Sequence, residues 1–396
     1  MNCLLMKRTF CSTQPLGLLF LSAIRATFVV FATIVLMSAC STDDEPGTGT
    51  DDTIADEFDR TAILINWADN IIVPAYQSYA GRLGELQRAT AAFTESPDEA
   101  HLNTLRDAWL AAYLAWQSVE MFEIGKAEEI GLRNFTNIFP TNAAGIEENI
   151  SEEDYTLALP SKRDEQGFPA LDYLLFEGDN DASIITRYTD AERGQAYRTY
   201  LTEVVNRLVD LTDQVVTDWD SSYRDSFVSN TGASATSSFN KLVNDYLFYY
   251  EKGLRAGKVG IPAGVFSGTP LPETVEGRYA GGVSKLLFDA ALDATQNFFN
   301  GKHFASDTEG ESLKSYLSYL NSLKDGEDLG ARINQQFGDI KITADALDQD
   351  FTEQINTNND LLLTTYDQLQ RNVVLMKVDM FQALNVKVDF VDADGD

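Results

Sequence analysis

Residues 167–176 read Gly-Phe-Pro-Ala-Leu-Asp-Tyr-Leu-Leu-Phe. This stretch begins as a helix does, because proline suits the first helical turn, where its missing N–H is not needed. The following side chains are apolar around almost the whole helix, which predicts a short buried helix. Asp172 is the exception, since a carboxylate is rarely buried unless it is paired or bound to a cation. The stretch therefore predicts a helical protein in which Asp172 either binds a cation or is satisfied by Arg, Lys or backbone donors.

Helical spacing of apolar residues continues through most of the chain. It predicts helices over 54–93, 97–124, 189–219, 239–258, 279–300 and 358–384, with a further helix opening at Thr308. Pro74 should kink or split the first of these, and Val386–Val391 alternates like one short C-terminal strand. We therefore predict an all-α protein of two antiparallel helical bundles, over 55–220 and 239–396, with a connector over 221–238.

The N-terminus has the pattern of an exported lipoprotein. A basic flank precedes an apolar run over 26–37, and Leu36-Met37-Ser38-Ala39-Cys40 resembles a bacterial lipobox. A membrane-spanning anchor over 16–37 is the alternative, and Arg25 near its middle disfavours it. We predict a signal peptide over 1–39, a lipidated Cys40 with a flexible linker over 40–54, and an outer-membrane lipoprotein of the cell envelope. The lipid would hold the protein on the membrane, facing either the periplasm or the cell surface.

The charge balance limits the classes of partner. The chain has 61 acidic and 30 basic residues, which gives a formal net charge of −31. Nucleic acid is an unsuitable partner, because binding its phosphates requires Lys and Arg. The excess of carboxylates instead favours the attraction of cations.

Three separated blocks carry a family resemblance: Arg106–Phe122, Gly167–Phe176, and the segment from Lys258 to Tyr279. Together they resemble the imelysin family, over roughly residues 55–390. The resemblance implies a two-bundle helical protein of the bacterial envelope. It also implies a link to iron uptake, with components of iron-import systems as partners, and some members have been classed as metallopeptidases.

The chain departs from the family's Gly-x-His-x-x-Glu motif. Gly167 matches, but Pro169 stands at the histidine position and Asp172 at the glutamate position. An imidazole ligand is therefore missing, and no His-Glu-x-x-His motif occurs in the chain. We assign no catalytic residue and expect no peptidase activity.

If a cation binds, oxygen atoms must hold it, and carboxylates suit hard ions such as iron or calcium. Our candidates are Asp172, Glu120, Glu123, Glu251 and Glu276. For Glu120 and Glu123 the alternative is ion pairing with Lys126 or with other cations. The sequence thus supports two hypotheses: a protein that binds iron, another cation or a small ligand in a cleft between its bundles, or a surface scaffold that has lost the metal site.

Overall fold

The computed structural model describes residues 58–324 and 328–390, and these residues form an all-α protein. The first half contains helices α1 (Arg60–Ile65), α2 (Val73–Glu95), α3 (Glu99–Trp116), α4 (Lys126–Ile130), α5 (Leu132–Thr136), α6 (Ala143–Glu152), α7 (Gly167–Phe176), α8 (Asp181–Thr189), α9 (Gly194–Asp218) and α10 (Arg224–Ser229). The second half contains α11 (Ser238–Phe248), α12 (Ser284–Asn300), α13 (Leu313–Lys324), α14 (Leu329–Ala344), α15 (Phe351–Asn358), α16 (Asp360–Val374) and α17 (Phe381–Ala383).

Four π-helical segments continue these helices: Asn66–Ile72, Trp219–Tyr223, Tyr249–Gly260 and Leu375–Met380. The first shows how the chain accommodates Pro74. The backbone N–H of Val73 donates to the carbonyl of Ala68, five residues back, and Pro74 then occupies the first turn of α2. The wider turn removes the need for the proline N–H, so the chain is not split at Pro74 and α1 continues through this segment into α2.

In the first half, α2 packs against α3 and α9, and α7 lies on α3 and α9. The predicted burial of α7 is confirmed, because every residue from Gly167 to Leu175 is buried. Its aromatic neighbours fix it in place: the Trp109 indole N–H donates to the carbonyl of Phe168 at 3.3 Å, and the Tyr113 ring stacks on the Phe168 ring. These contacts place Asp172 in the interior.

In the second half, α16 packs against α14 and against the Tyr249–Gly260 segment. The two halves share one hydrophobic core. Helix α12 lies against α3, and the Trp67 ring contacts the rings of Phe239 and Phe298. The division into two separate bundles therefore stays a prediction.

Several predicted boundaries were wrong. Helix α3 begins at Glu99 rather than at residue 97, because Asp98 caps it: the Asp98 side chain accepts a hydrogen bond from the backbone N–H of His101. Helix α3 ends at Trp116, well before Gly125. Within the connector predicted over 221–238, π-helical and α-helical turns continue to Ser229. The buried side chains of Trp219 and Phe227 explain this continuation.

The predicted C-terminal strand does not form among the described residues, which end at Phe390. A side chain takes the place of a partner strand. The Asn244 amide donates to the carbonyl of Lys387 and accepts from the N–H of Asp389, each at 3.0 Å. These two hydrogen bonds satisfy the carbonyl of Lys387 and the N–H of Asp389 without a sheet.

No helix in the described part of the chain combines the length and the apolar character that a membrane crossing requires. The predicted signal peptide, Cys40 and the linker lie outside the described residues, as does Val391.

Candidate functional site

Two of the predicted carboxylates meet in the interior. Glu120 follows α3 in the first half, and Glu276 lies in the loop before α12 in the second half. The Asn137 amide nitrogen donates to Oε1 of Glu120 at 3.0 Å and to Oε1 of Glu276 at 2.8 Å. One amide group therefore joins a carboxylate from each half.

Lys258 completes this group. Its ammonium donates to Oε2 of Glu276 at 2.6 Å and lies 3.7 Å from Oε2 of Glu120. All three charged side chains are buried, and the lysine is only 3% exposed. We call Glu120, Asn137, Lys258 and Glu276 the junction site. Its two carboxylates and one ammonium leave one net negative charge.

Phenols and an amide surround the junction site. The Tyr249 hydroxyl donates to Oε2 of Glu120 at 3.1 Å, and the Tyr113 hydroxyl donates to Oδ1 of Asn137 at 2.6 Å. Burial, together with the nearby glutamates, raises the pKa of both tyrosines well above the ordinary value. The phenols therefore stay protonated and act as hydrogen-bond donors to the site. The amide nitrogen of Gln117 lies 3.5 Å from Oε1 of Glu276.

Asp172 lies beside the junction site and is 2% exposed. Its Oδ2 accepts from the backbone N–H of Tyr279 at 3.0 Å, and its Oδ1 accepts from that of Ala280 at 2.8 Å. Burial raises the pKa of Asp172 to about 7, although these two bonds and Arg278 oppose the shift. Asp172 thus joins the α7 helix to the loop that carries Glu276.

Two cavities adjoin these groups. One, of about 240 Å³, is lined by Asp172, Pro169 and Arg278 among others, and we call it the Asp172 cavity. The other, of about 200 Å³, is lined by Glu120 and Lys258 among others, and we call it the Lys258 cavity. Phe139 lines both cavities, so the two cavities are neighbours. They provide room for a small ligand next to the buried charges.

Glu123 does not join the junction site. Its Oε2 accepts from the backbone N–H of Arg133 at 3.0 Å and pairs with the Arg133 guanidinium at 3.6 Å. That guanidinium also pairs with Asp245 of α11 at 3.0 Å. Burial raises the pKa of Glu123 to about 7, against the effect of Arg133. Lys126, the proposed partner of Glu120 and Glu123, pairs with Glu129 instead.

Glu251 is also fully buried but belongs to a different cluster. Oε1 lies 3.4 Å from the Lys252 ammonium and 3.6 Å from the Arg255 guanidinium, and Oε2 lies 3.2 Å from Lys377. Three cations from two segments thus surround one carboxylate.

Sequence reasoning missed Lys258, Asn137, Tyr249 and Tyr113 as parts of the site. Lys258 lies in one of the blocks that carry the family resemblance, which is the only sequence signal that pointed to it. Over residues 58–324 and 328–390, no three His, Cys, Asp or Glu side chains come close enough to share a metal ion. A cation at the junction site would therefore need amide or hydroxyl oxygens, or its own ligands, besides the carboxylates.

Among the solved structures with the same fold are proteins from two bacteria. An imelysin-like protein from Psychrobacter arcticum has a TM-score of 0.63 at 18% sequence identity, covering 83% of this chain and 96% of that chain. A candidate iron-regulated protein A precursor from Parabacteroides distasonis has a TM-score of 0.65 at 17% identity, covering 81% of this chain and 94% of that chain. At these identities the likeness concerns the fold.

Sequence comparison points to the same group of proteins. The chain is 23% identical to iron-regulated protein A of Synechococcus elongatus over 189 residues, which is 38% of this chain and 52% of the relative. The chain thus spans about half the length of this curated relative. The family model for imelysin, which is also named peptidase M75, matches residues 72–374. With a match over well more than half of its length, the chain belongs to the imelysin family.

Proposed function

We propose that this protein is an exported binding protein of iron uptake, held on the outer membrane by a lipid at Cys40. Its cargo is iron, another cation or a small iron-bearing ligand, bound at the junction site between the two helical halves. The observation that carries the proposal is the meeting of Glu120 and Glu276, one from each half, beside two cavities. The names of the Synechococcus and Parabacteroides relatives, which refer to iron regulation, support it.

The atoms at the site that can ligate a cation are oxygens, which hard cations prefer as ligands. Glu120 and Glu276 supply carboxylates, and the Gln117 side-chain oxygen is buried without a hydrogen-bond partner. Lys258 competes with a free ion for the same carboxylates. The present arrangement therefore suits a ligand that occupies a cavity and contacts the charged groups from there, more than a bare ion between the two glutamates.

Calorimetric titration tests the binding step. We would titrate the purified full-length chain with ferric citrate, with calcium chloride, and anaerobically with a ferrous salt. We expect saturable binding of at least one of these at one site per chain, weakened at least about tenfold by Glu120→Gln, since charge-assisted contacts to a buried carboxylate dominate such sites. Glu353→Gln, at an exposed position on α15, is the control. Absence of saturable binding would contradict the proposal.

Membrane anchoring needs its own test. In cells grown with a labelled fatty acid, the wild-type chain should incorporate label and fractionate with the outer membrane. Cys40→Ala should abolish both, because apolar burial of acyl chains is what holds such a protein on the membrane. An unlabelled wild-type chain would count against this part of the proposal.

The second candidate is a scaffold that keeps the fold without binding cations. The observation that favours it is the state of the charged groups, since both oxygens of Asp172 accept backbone hydrogen bonds and Lys258 neutralises Glu276. This candidate predicts identical titrations for the wild type and Glu120→Gln, with no saturable binding in either.

A further inference from the structure

We propose that Lys258 is the built-in cation of the junction site and decides which cargo the site accepts. A free divalent cation binds between Glu120 and Glu276 only in exchange for the lysine ammonium. This inference rests on the proposed function in placing the cargo at the junction site, and it identifies the residue that sets specificity there.

The ammonium already has the surroundings of a bound cation. It lies 2.6 Å from Oε2 of Glu276 and 3.7 Å from Oε2 of Glu120, on the side of each carboxylate that Asn137 does not occupy. Carboxylate oxygens coordinate calcium at about 2.3–2.6 Å. A cation that replaced the ammonium would thus meet oxygens from both halves of the protein.

The carboxylates do not depend on Lys258 alone for their positions. Asn137 holds Oε1 of both, and Tyr249 holds Oε2 of Glu120. The Gln117 side-chain oxygen adds an independent observation, because it is buried and has no hydrogen-bond partner. The amide that carries it contacts Glu276 through its nitrogen. A buried acceptor without a partner is unusual, and a rotation of this amide, which already contacts Glu276, would present its oxygen to a cation there.

The structure has space for the Lys258 side chain once a cation displaces it. Lys258 lines the Lys258 cavity, whose wall includes Gly253 and Gly257 from its own segment. Its ammonium lies 6.0 Å from the centroid of the Phe139 ring, so a short movement would place it against the face of that ring. The long apolar stem of lysine permits such a movement while the backbone stays in place.

The presence or absence of the Lys258 ammonium changes the net charge of the junction site. With the ammonium in place the junction site carries one net negative charge, and without it two. A unit charge about 4 Å away changes the affinity for a divalent ion by about thirtyfold at the dielectric constant of water, and by much more at the lower effective dielectric constant near a protein. The wild type should therefore discriminate against bare divalent ions, and the protein without Lys258 should accept them.

Manganese is a suitable probe, because Mn²⁺ prefers oxygen ligands and is observed directly by electron paramagnetic resonance. We would titrate the full-length wild type, Lys258→Met and the double variant Lys258→Met/Glu120→Gln with Mn²⁺. Lys285→Met is the matched control, because Lys285 is also buried and pairs with one carboxylate, Asp289, away from the site.

We expect Lys258→Met to bind one Mn²⁺ at least about tenfold more tightly than the wild type. The double variant lacks one carboxylate and should bind Mn²⁺ no more tightly than the wild type. Lys285→Met should likewise bind Mn²⁺ no more tightly than the wild type. Lys258→Arg, which keeps the charge, should also bind no better than the wild type. An affinity of Lys258→Met equal to or weaker than that of the wild type overturns the inference.

Lys258→Met could fold poorly, since it leaves two buried carboxylates without their cation. Mn²⁺ should then restore folding, measured as a rise in melting temperature with Mn²⁺ concentration. A variant that is unfolded with and without Mn²⁺ overturns the inference as well. The proposed function is judged separately, by the wild-type titrations with ferric citrate, calcium and ferrous iron, so the two can fail independently.

Discussion

Gly167 lies so close to the backbone of Thr136 that a Cβ atom at position 167 would be 2.2 Å from the Thr136 carbonyl oxygen. The same glycine has a φ of +77°, which side chains other than hydrogen disfavour. This approach seats α7 and therefore the carboxylate of Asp172. The glycine of the family motif thus has a physical explanation that does not involve a ligand.

Gly167→Ala should lower the free energy of unfolding by about 2–4 kcal/mol, from backbone strain and the clash with Thr136. Gly81→Ala is the control, because position 81 lies within α2 and a Cβ there meets nothing within 4 Å. The control should be neutral or stabilising by up to about 1 kcal/mol, as alanine favours helices. Urea unfolding of both variants measures the difference, and equal midpoints would contradict the seating of α7.

Lys258 and Glu276 should be strongly coupled. Lys258→Met or Glu276→Gln alone should cost about 3–5 kcal/mol, because each leaves a buried group without its main partner. The double variant should cost less than the sum of the two, with a coupling of at least about 1 kcal/mol in a double-mutant cycle. The Lys302–Asp307 pair, whose aspartate is fully exposed, is the comparison and should couple by less than about 1 kcal/mol. Additive effects at Lys258 and Glu276 would contradict the pairing.

Asp172 should make stability depend on pH. Burial raises the pKa of Asp172 from 3.8 to about 7, so between these values the folded state holds a proton that the unfolded state releases. The stability contributed by Asp172 is therefore complete below about pH 4 and is lost as the pH rises to 7. Relative to the Asp172→Asn variant, the free energy of unfolding of the wild type should rise by up to about 1.4 kcal/mol for each unit by which the pH falls within this window.

Chemical unfolding of the wild type and Asp172→Asn at pH 5, 6, 7 and 8 checks this slope. Asp307→Asn, at a fully exposed side chain, is the control and should follow the wild type at every pH. Parallel curves for the wild type and Asp172→Asn would show that Asp172 ionises freely in the folded protein.

Asn244 should hold the C-terminal segment. Asn244→Ala removes both hydrogen bonds to residues 387 and 389, so amide exchange there should accelerate by at least about fivefold, the equivalent of about 1 kcal/mol. Asn240→Ala is the matched control on the same helix, because its amide binds the carbonyls of Ala233 and Ser234 instead. Hydrogen exchange with mass spectrometry should show faster exchange of 386–390 in the first variant only.

Much of the fold could be predicted from the chain. Apolar residues at helical spacing indicated the long helices, and Gly167 with Pro169 indicated the start of α7. The errors came where the backbone hydrogen bonds, local or distant, departed from the expected pattern. The Asn66–Ile72 turn accommodates Pro74, and Asn244, far away in sequence, satisfies the backbone that was predicted to form a strand.

Less of the candidate site could be predicted. Composition and the family blocks indicated buried carboxylates, but Glu120, Glu123 and Glu251 have the same chemistry and nothing local separates them. Glu120 and Glu123 are three residues apart, yet one reaches Lys258 and the other Arg133. Their different surroundings arise from the turn that ends α3 at Trp116, which breaks the helical spacing between them.

The sequence by itself determined the all-α class, the buried α7 helix and the excess of negative charge, because these follow from local periodicity and composition. Only the tertiary structure decided that Glu120 and Glu276 share Asn137 and Lys258, which are far apart in the chain. The physical reason is that a buried charge costs free energy unless it is paired, and packing between the two halves decides which groups can form the pair.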